Sequence, residues 1–151
     1  VTVNREGEMI RQLEPGDRAG WEELWRGYLH FYRGEVPDSV TAVTFDRLCS
    51  GGDGLRGLVA IAEDGSPIGF AHLVFHSSTW SDGSYCYLED LFVDPEARGS
   101  GTARQLIEAV YAEADRRGAV RTYWETQEYN SPARSLYDTL AHRTSFIIYE
   151  R

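Results

Sequence analysis

Apolar residues recur along this chain in two periods, and the switches between them mark the elements. Trp21, Leu24, Trp25, Tyr28 and Leu29 return every three or four positions, the spacing of one face of an α-helix. A second helix is predicted over 39–49, with Val43, Leu48 and Phe45 as its inward candidates. Leu106, Ile107, Val110, Tyr111 and Ala114 form the apolar face of a third, stopped by Arg116-Arg117-Gly118. Pro132 suits the first turn of a fourth, whose Leu136 and Leu140 share a face. Between the helices, apolar residues crowd into runs of strand length over 9–14, 58–62, 68–76, 85–93, 120–126 and 146–149. Asp64-Gly65 reads as a hairpin turn, 77–84 as a loop, and Pro15-Gly16 as a stop, with Asp17 placed to cap the first helix. The polar stretch 1–8 reads as a flexible tail. The pattern predicts a single α+β domain over 9–151, with a mixed, mostly antiparallel sheet flanked by helices.

Bulk properties narrow the class. The 151 residues suit one domain with a sizeable core, and the 42% hydrophobic fraction is ordinary for a globular protein. No apolar run approaches a membrane span, and no signal peptide is visible at the start. Cys49 and Cys86 form no C-x-x-C, so the expected setting is reduced and cytoplasmic, with no metal site. His72 and His76 are four apart in an expected strand, which lacks the geometry of a helical metal pair. A net charge of −9 argues against nucleic acid or anionic membrane as partners and favours cationic ones. An acidic surface that only keeps the protein soluble is the plain alternative.

The chemistry concentrates in one stretch. Leu88-Glu89-Asp90-Leu91-Phe92-Val93 ends at the turn Asp94-Pro95, and the loop Arg98-Gly99-Ser100-Gly101-Thr102-Ala103 then opens the third helix. Small residues let backbone approach a ligand closely, and the first N–H groups of a helix have no partner within it. With the helix dipole, they suit an anion such as phosphate. The loop is neither a P-loop, since no Lys-Ser/Thr follows, nor a dinucleotide fingerprint, since Arg104 stands where glycine is needed.

Arg98-x-x-Gly101-x-Ala103 resembles the Q/R-x-x-G-x-G/A motif of the GNAT superfamily of acetyl-CoA-dependent N-acetyltransferases. Asn130-Ser131-Pro132-Ala133-Arg134-Ser135-Leu136-Tyr137, downstream, resembles that family's N-x-x-A-x-x-L/F-Y element. The Leu-Glu-Asp-Leu-Phe-Val run and Glu128-Tyr129-Asn130 are similar to the spermidine/spermine acetyltransferases, and the ending after Tyr137 resembles the histone and polyamine branch. The resemblance implies acetyl-CoA as donor, held by the amides of Arg98, Gly99, Ser100, Gly101, Thr102 and Ala103. Arg98, Thr102 and Arg104 side chains would assist. It also implies pantetheine pairing with the backbone of Phe92 and Val93, where the sheet splays, and contacts from Asn130 and Arg134.

Acetyl transfer from a thioester to an amine needs the donor held, the amine deprotonated and the leaving sulfur protonated. The resemblance implies Tyr137 as the acid and Glu89 as the base. Strand alternation places Glu89 and Asp90 on opposite faces, so that one can face the site. A packed tyrosine and a passive acidic pair are the plain alternatives. Glu125 and Glu128 are candidates to line a cationic substrate site, or are solvated charges at a strand end. Trp25 and Tyr28, in the cluster with Trp21, Phe31 and Tyr32, can contact an amine's charge or stem, or belong to the core. The expected function is N-acetylation of a polyamine or other small cationic amine by direct attack in a ternary complex. Protein lysine or N-terminal acetylation and a non-catalytic acyl-CoA sensor are the rivals. The resemblance further implies a homodimer in which the expected strand 146–149 takes part, with an internal sheet strand as the equal alternative for that run.

Overall fold

The computed structural model describes residues 1–4 and 7–151, and in it the strands lie side by side in chain order. They are β1 (Thr2–Val3), β2 (Met9–Gln12), β3 (Leu55–Ile61), β4 (Pro67–Ser78), β5 (Ser81–Val93) and β6 (Arg121–Tyr123). The first five form an antiparallel meander. β6 pairs parallel to Tyr85–Tyr87 of β5, which a connection through a helix makes possible. The helices are α1 (Arg18–Phe31), α2 (Asp38–Ser50), α3 (Thr102–Arg116) and α4 (Ser131–Leu140). This is the mixed, mostly antiparallel α+β sheet that the sequence pattern predicts.

Period-two alternation divides the sheet's side chains between two cores. Val59, Ile61, Phe70 and Phe92 pack against Trp21, Leu24 and Trp25 of α1 and Phe45 and Leu48 of α2. Leu58, Ala60, Ala71, Leu73, Cys86, Leu88 and Val93 pack against Leu106, Ile107, Val110 and Ala114 of α3. The register keeps like with like, since Val59 faces Phe70 and Phe70 faces Phe92. Leu136, Tyr137 and Leu140 of α4 lean on the α3 side of the core. Two bonds moor α4 to α3: the Tyr111 hydroxyl donates to the Leu140 carbonyl, and Arg104 donates to Thr139 Oγ1 at 2.7 Å.

Several elements differ from the sequence expectation, each for a local reason. The tail over 1–8 is not simply loose, because Thr2 and Val3 pair with Ile10 and Met9. Asn4 donates to the buried Glu8 carboxylate, which also accepts from Thr102 Oγ1. Arg5 and Glu6 of that tail lie outside the described residues. Asp17 caps the 3-10 turn before α1 instead of α1 itself, accepting from the Glu14 amide and holding Arg11. Phe45 is buried in α2 while Val43 is exposed, since Thr41, Phe45 and Leu48 define its inward face. The loop expected over 77–84 is mostly strand: β4 and β5 extend until Ser78 faces Ser81, leaving Trp80 exposed at the hairpin tip. β6 stops at Tyr123, short of the run to 126. The expected strand 146–149 joins no sheet, and Phe146, Ile147, Ile148 and Tyr149 are exposed.

Gly69 is where β4 and β5 approach most tightly, since a Cβ there would stand 2.8 Å from the Phe92 carbonyl oxygen. Backbone cannot swing aside as a side chain can, so Gly69→Ala should destabilise the fold by about 2 kcal/mol, read as a lower melting temperature. An unchanged melting temperature would refute this reading of the contact.

Candidate active site

β4 and β5 pair in step from Gly69 opposite Val93 to His72 opposite Asp90, and then Leu73 faces Leu88. Glu89 is left over, the extra residue of a β-bulge. Without it, Leu88 and Asp90 would point the same way. With it, Leu88 enters the core under α3, whereas Asp90 meets Tyr28 of α1 and His72 of β4. The expectation that Glu89 and Asp90 sit on opposite faces is therefore corrected. Tyr28 and Tyr87 both feel the two charges, so the carboxylates bear on one space.

Asp90 is held by short bonds. The Tyr28 hydroxyl donates to Oδ1 at 2.6 Å, and His72 Nδ1 lies 2.9 Å from Oδ2. Trp21 Nε1 donates to His72 Nε2 at 2.9 Å from the core behind. Burial, and then the charge and hydrogen bond of Asp90, push the Tyr28 phenol far above its ordinary value. Tyr87 is pushed up to about 12, first by burial and then by Glu125 and Glu89. Glu89 makes no ion pair among the described residues. Burial first, and then the neighbouring Asp90 charge, lift its carboxyl above the ordinary glutamate range.

Tyr137 extends from α4 with its ring edge-on to Trp124, centroids 5.4 Å apart. Its hydroxyl has no protein partner among the described residues. Burial, and secondarily Tyr32, raise its pKa, so the phenol stays protonated well past neutrality. Tyr32 also feels Asp90 and Tyr129, which links these aromatic groups electrostatically.

Past Tyr87, the edge of β5 toward β6 has no strand partner among the described residues. The sheet thus opens beside Phe92 and Val93, where the sequence resemblance placed a pantetheine arm. Phe92 and Val93 side chains are buried, so backbone is what that edge offers, and the Val93 carbonyl accepts from Arg98 Nε at 3.3 Å. The edge leads to the loop before α3. There the amides of Gly99, Ser100, Gly101, Thr102, Ala103 and Arg104 meet no protein acceptor among the described residues. Gly99 and Gly101 have φ of +93° and +83°, a conformation that turns successive amides outward and disfavours any side chain. A row of free donors at a helix N-terminus fits a diphosphate.

The side chains around that loop are largely committed elsewhere. Ser100 Oγ donates to the Ala97 carbonyl, and Thr102 Oγ1, 2.7 Å from Ser100 Oγ, has Glu8 within reach as its acceptor. Arg104 reaches α4 instead of the loop. Arg98 lies over the Phe31 ring. Arg134 donates to the Glu128 carbonyl, strapping the turn before α4. Asn130 occupies the N-cap position of α4, while its side chain makes no cap. Glu125 and Glu128 are exposed, and Glu128 lies 3.9 Å from Arg143. Trp25 is a core residue: it is buried, donates to Thr41 Oγ1 and stacks behind Tyr28. Tyr28 does reach the site. Sequence reasoning missed His72 as the partner of Asp90. Its signal was a polar side chain at the same strand parity as Phe70, facing the aromatic stripe of α1.

Comparison with known proteins agrees with this geometry. The model of the Acetyltransferase (GNAT) family matches residues 21–141. The D-amino-acid N-acetyltransferase HPA3 of Saccharomyces cerevisiae is 37% identical over 144 residues, covering 95% of this chain and 89% of that protein. The thialysine N-epsilon-acetyltransferase of Caenorhabditis elegans is 34% identical over 86 residues, 57% of this chain and 52% of its own. The solved structure of AAC(6')-Iy with the bisubstrate analogue CoA-S-monomethyl-acetylneamine superposes with a TM-score of 0.81 at 25% identity, covering 95% of this chain and 97% of that one. With bulge, open strand edge and free amides in place, the chain belongs to the GNAT family of acetyltransferases, as an N-acetyltransferase whose acyl donor is acetyl-CoA.

Proposed function

We propose that this enzyme acetylates a small cationic primary amine, a polyamine or a compound of similar charge, by direct attack in a ternary complex. The observation that carries the reading is the bulge, which brings Glu89 and Asp90 to bear on one aromatic-walled space, with no arginine among the described residues paired to either. An ammonium group would supply the missing positive charge, and Tyr28, Tyr32 and Tyr129 offer ring faces and stem contacts. Thialysine and aminoglycoside acetyltransferases among the relatives act on amines of this kind by their names. Glu125 and Glu128 extend the acidic rim.

The roles follow from each group's state. When bound, the donor supplies a thioester activated for acyl transfer. The free amides of residues 99–104 would hold its diphosphate, the Arg98 amide expected among them being taken by the Pro95 carbonyl, and the free edge of β5, at Phe92 and Val93, would hold its arm, with Asn130 and Arg134 at the far wall. Glu89 accepts a proton from the acceptor's ammonium, and its raised pKa makes it a better base than an ordinary carboxylate. Tyr137, kept protonated by burial, donates a proton to the departing sulfur. We also place the enzyme in the cytoplasm, consistent with its two free cysteines, and as a homodimer. The dimer reading rests on Phe146, Ile147, Ile148 and Tyr149, an exposed apolar run outside the sheet that a second copy would cover. No helix of the described residues is long and apolar enough to cross a membrane.

Thiol release from acetyl-CoA, measured with spermidine, spermine, small amines, D- and L-amino acids, aminoglycosides and lysine peptides, tests the acceptor. All fifteen basic residues are arginine and none is lysine, so the enzyme has no ε-amine of its own to contribute background. The expected result is turnover of a polycationic small amine. Turnover confined to D-amino acids or to peptides would replace that acceptor. Silence, with acetyl-CoA still raising the melting temperature, would leave a donor-binding sensor.

Tyr137→Phe should lower kcat by about 100-fold while leaving acetyl-CoA binding intact. Full activity would remove the acid role. In the wild type, kcat/KM should fall as pH drops through a Glu89 pKa above the ordinary glutamate range, since the protonated base cannot accept a proton. That limb should vanish in Glu89→Gln along with most of the activity. Sedimentation should show a dimer that Ile148→Arg converts to monomer; a monomeric wild type would end the dimer reading.

A further inference from the structure

Tyr28 and His72 meet Asp90 and Trp21 backs His72, and the donor capacities of the three are not interchangeable. An indole N–H can only donate, so Trp21 Nε1 needs a bare nitrogen at His72 Nε2, 2.9 Å away. That places the ring's proton on Nδ1, which then donates to Asp90 Oδ2. A ring protonated on both nitrogens would set N–H against N–H inside a core where His72 is 3% exposed. The second oxygen of Asp90 accepts from the Tyr28 hydroxyl. Both partners of Asp90 are therefore neutral, although the His72–Asp90 distance alone would suit an ion pair.

We propose that His72 is a positioning residue for acetyl transfer: Trp21 holds it as the neutral Nδ1–H tautomer, so that Asp90 is fixed by neutral donors alone and keeps its full negative charge beside Glu89. This rests on the reading of Glu89 and Asp90 as the acceptor site. The arrangement separates two needs. Asp90 must be rigid, because it anchors the strand at the bulge and thereby aims Glu89. It must also stay charged, because a cation in permanent contact would cancel the attraction for an ammonium acceptor. An arginine or imidazolium partner would meet the first need and defeat the second. The titratable groups facing the ring are Asp90 and Glu89 from β5 and Tyr28 from α1; the remaining neighbours from α1 and β4 are Trp21, Trp25 and Phe70.

The test has a structural arm and a kinetic arm. In 15N-histidine-labelled full-length protein, long-range 1H–15N spectra at neutral pH should show one ring with Nδ1 protonated and Nε2 bare, assigned to His72 by its loss in His72→Gln. A ring protonated on Nε2 alone, or on both nitrogens, would overturn the proposal. Kinetics use spermidine, or the panel amine that the wild type acetylates fastest. His72→Leu leaves Asp90 and Trp21 without their partner and should lose about tenfold or more in kcat/KM, mostly through KM for the cation. His72→Gln, whose amide can donate to Asp90 while its carbonyl accepts from Trp21, should recover most of that loss and keep the wild-type pH profile. Wild-type kinetics in folded His72→Leu would overturn the proposal, as would a His72→Gln variant no better than His72→Leu. Failure of the acceptor reading shows differently, as a wild type that releases no thiol with any amine of the panel, and leaves the ring spectra to decide the tautomer.

Discussion

Asp90 faces His72 across two strands and Leu88 faces Leu73, so the one residue without a partner is Glu89. The rest of the site depends on this slip in register. A regular β5 would have sent Asp90 into the apolar core under α3, where a carboxylate cannot be tolerated without partners. The extra residue resets the alternation, and the strand ends with Phe92 packed toward α1 and Val93 toward α3. The tight passage at Gly69, opposite Val93, holds β4 and β5 together on the far side of the bulge. Tyr28, His72 and Trp21 secure it from the α1 side.

β5 also orders the charges of the enzyme along one line. At the bulge stand two carboxylates that no arginine among the described residues contacts. A few residues on, after a free strand edge, come six amides with no acceptor among the described residues, at the start of a helix whose dipole adds to their pull. A cluster of free donors and a pair of carboxylates are thus fixed by a single strand and the turn that follows it. Tyr137 closes the arrangement from α4, which is bonded to α3 through Arg104 and Tyr111. The glycine loop, the strand and the tyrosine are parts of one frame, although 36 residues separate Gly101 from Tyr137.

Much of this was legible in the sequence. The helical stripe at Trp21, Leu24 and Trp25, the Asp64-Gly65 turn and the face from Leu106 to Ala114 all carry their period in the residues themselves. So does the loop from Arg98 to Ala103, because glycine spacing before a helix has a direct backbone consequence. The bulge was not legible, since strict alternation is the default reading of Leu-Glu-Asp-Leu and an added residue shows only in the partner strand. Val43 was misplaced, and Trp25 was left open between core and site, because a helical stripe gives a face but not its width. The run over 146–149 has strand composition, yet composition does not choose a partner, and the run joins no sheet among the described residues. Side-chain commitments such as Arg104 to Thr139 or Arg134 to Glu128 depend on tertiary neighbours that spacing does not encode.

The four tryptophans occupy four distinct settings. Trp21 is wholly enclosed and hydrogen-bonded, Trp25 is buried against Thr41 and Tyr28, Trp80 stands 90% exposed on the hairpin tip, and Trp124 lies edge-on to the proposed acid. Their emission is consequently separable. An aqueous quencher reaches Trp80 first, the enclosed pair reports on the integrity of the core, and Trp124 alone stands beside Tyr137. Replacing Trp80 by phenylalanine would remove the solvent-dominated signal and leave the emission of the core pair together with that of Trp124 beside the proposed acid, without dye or label.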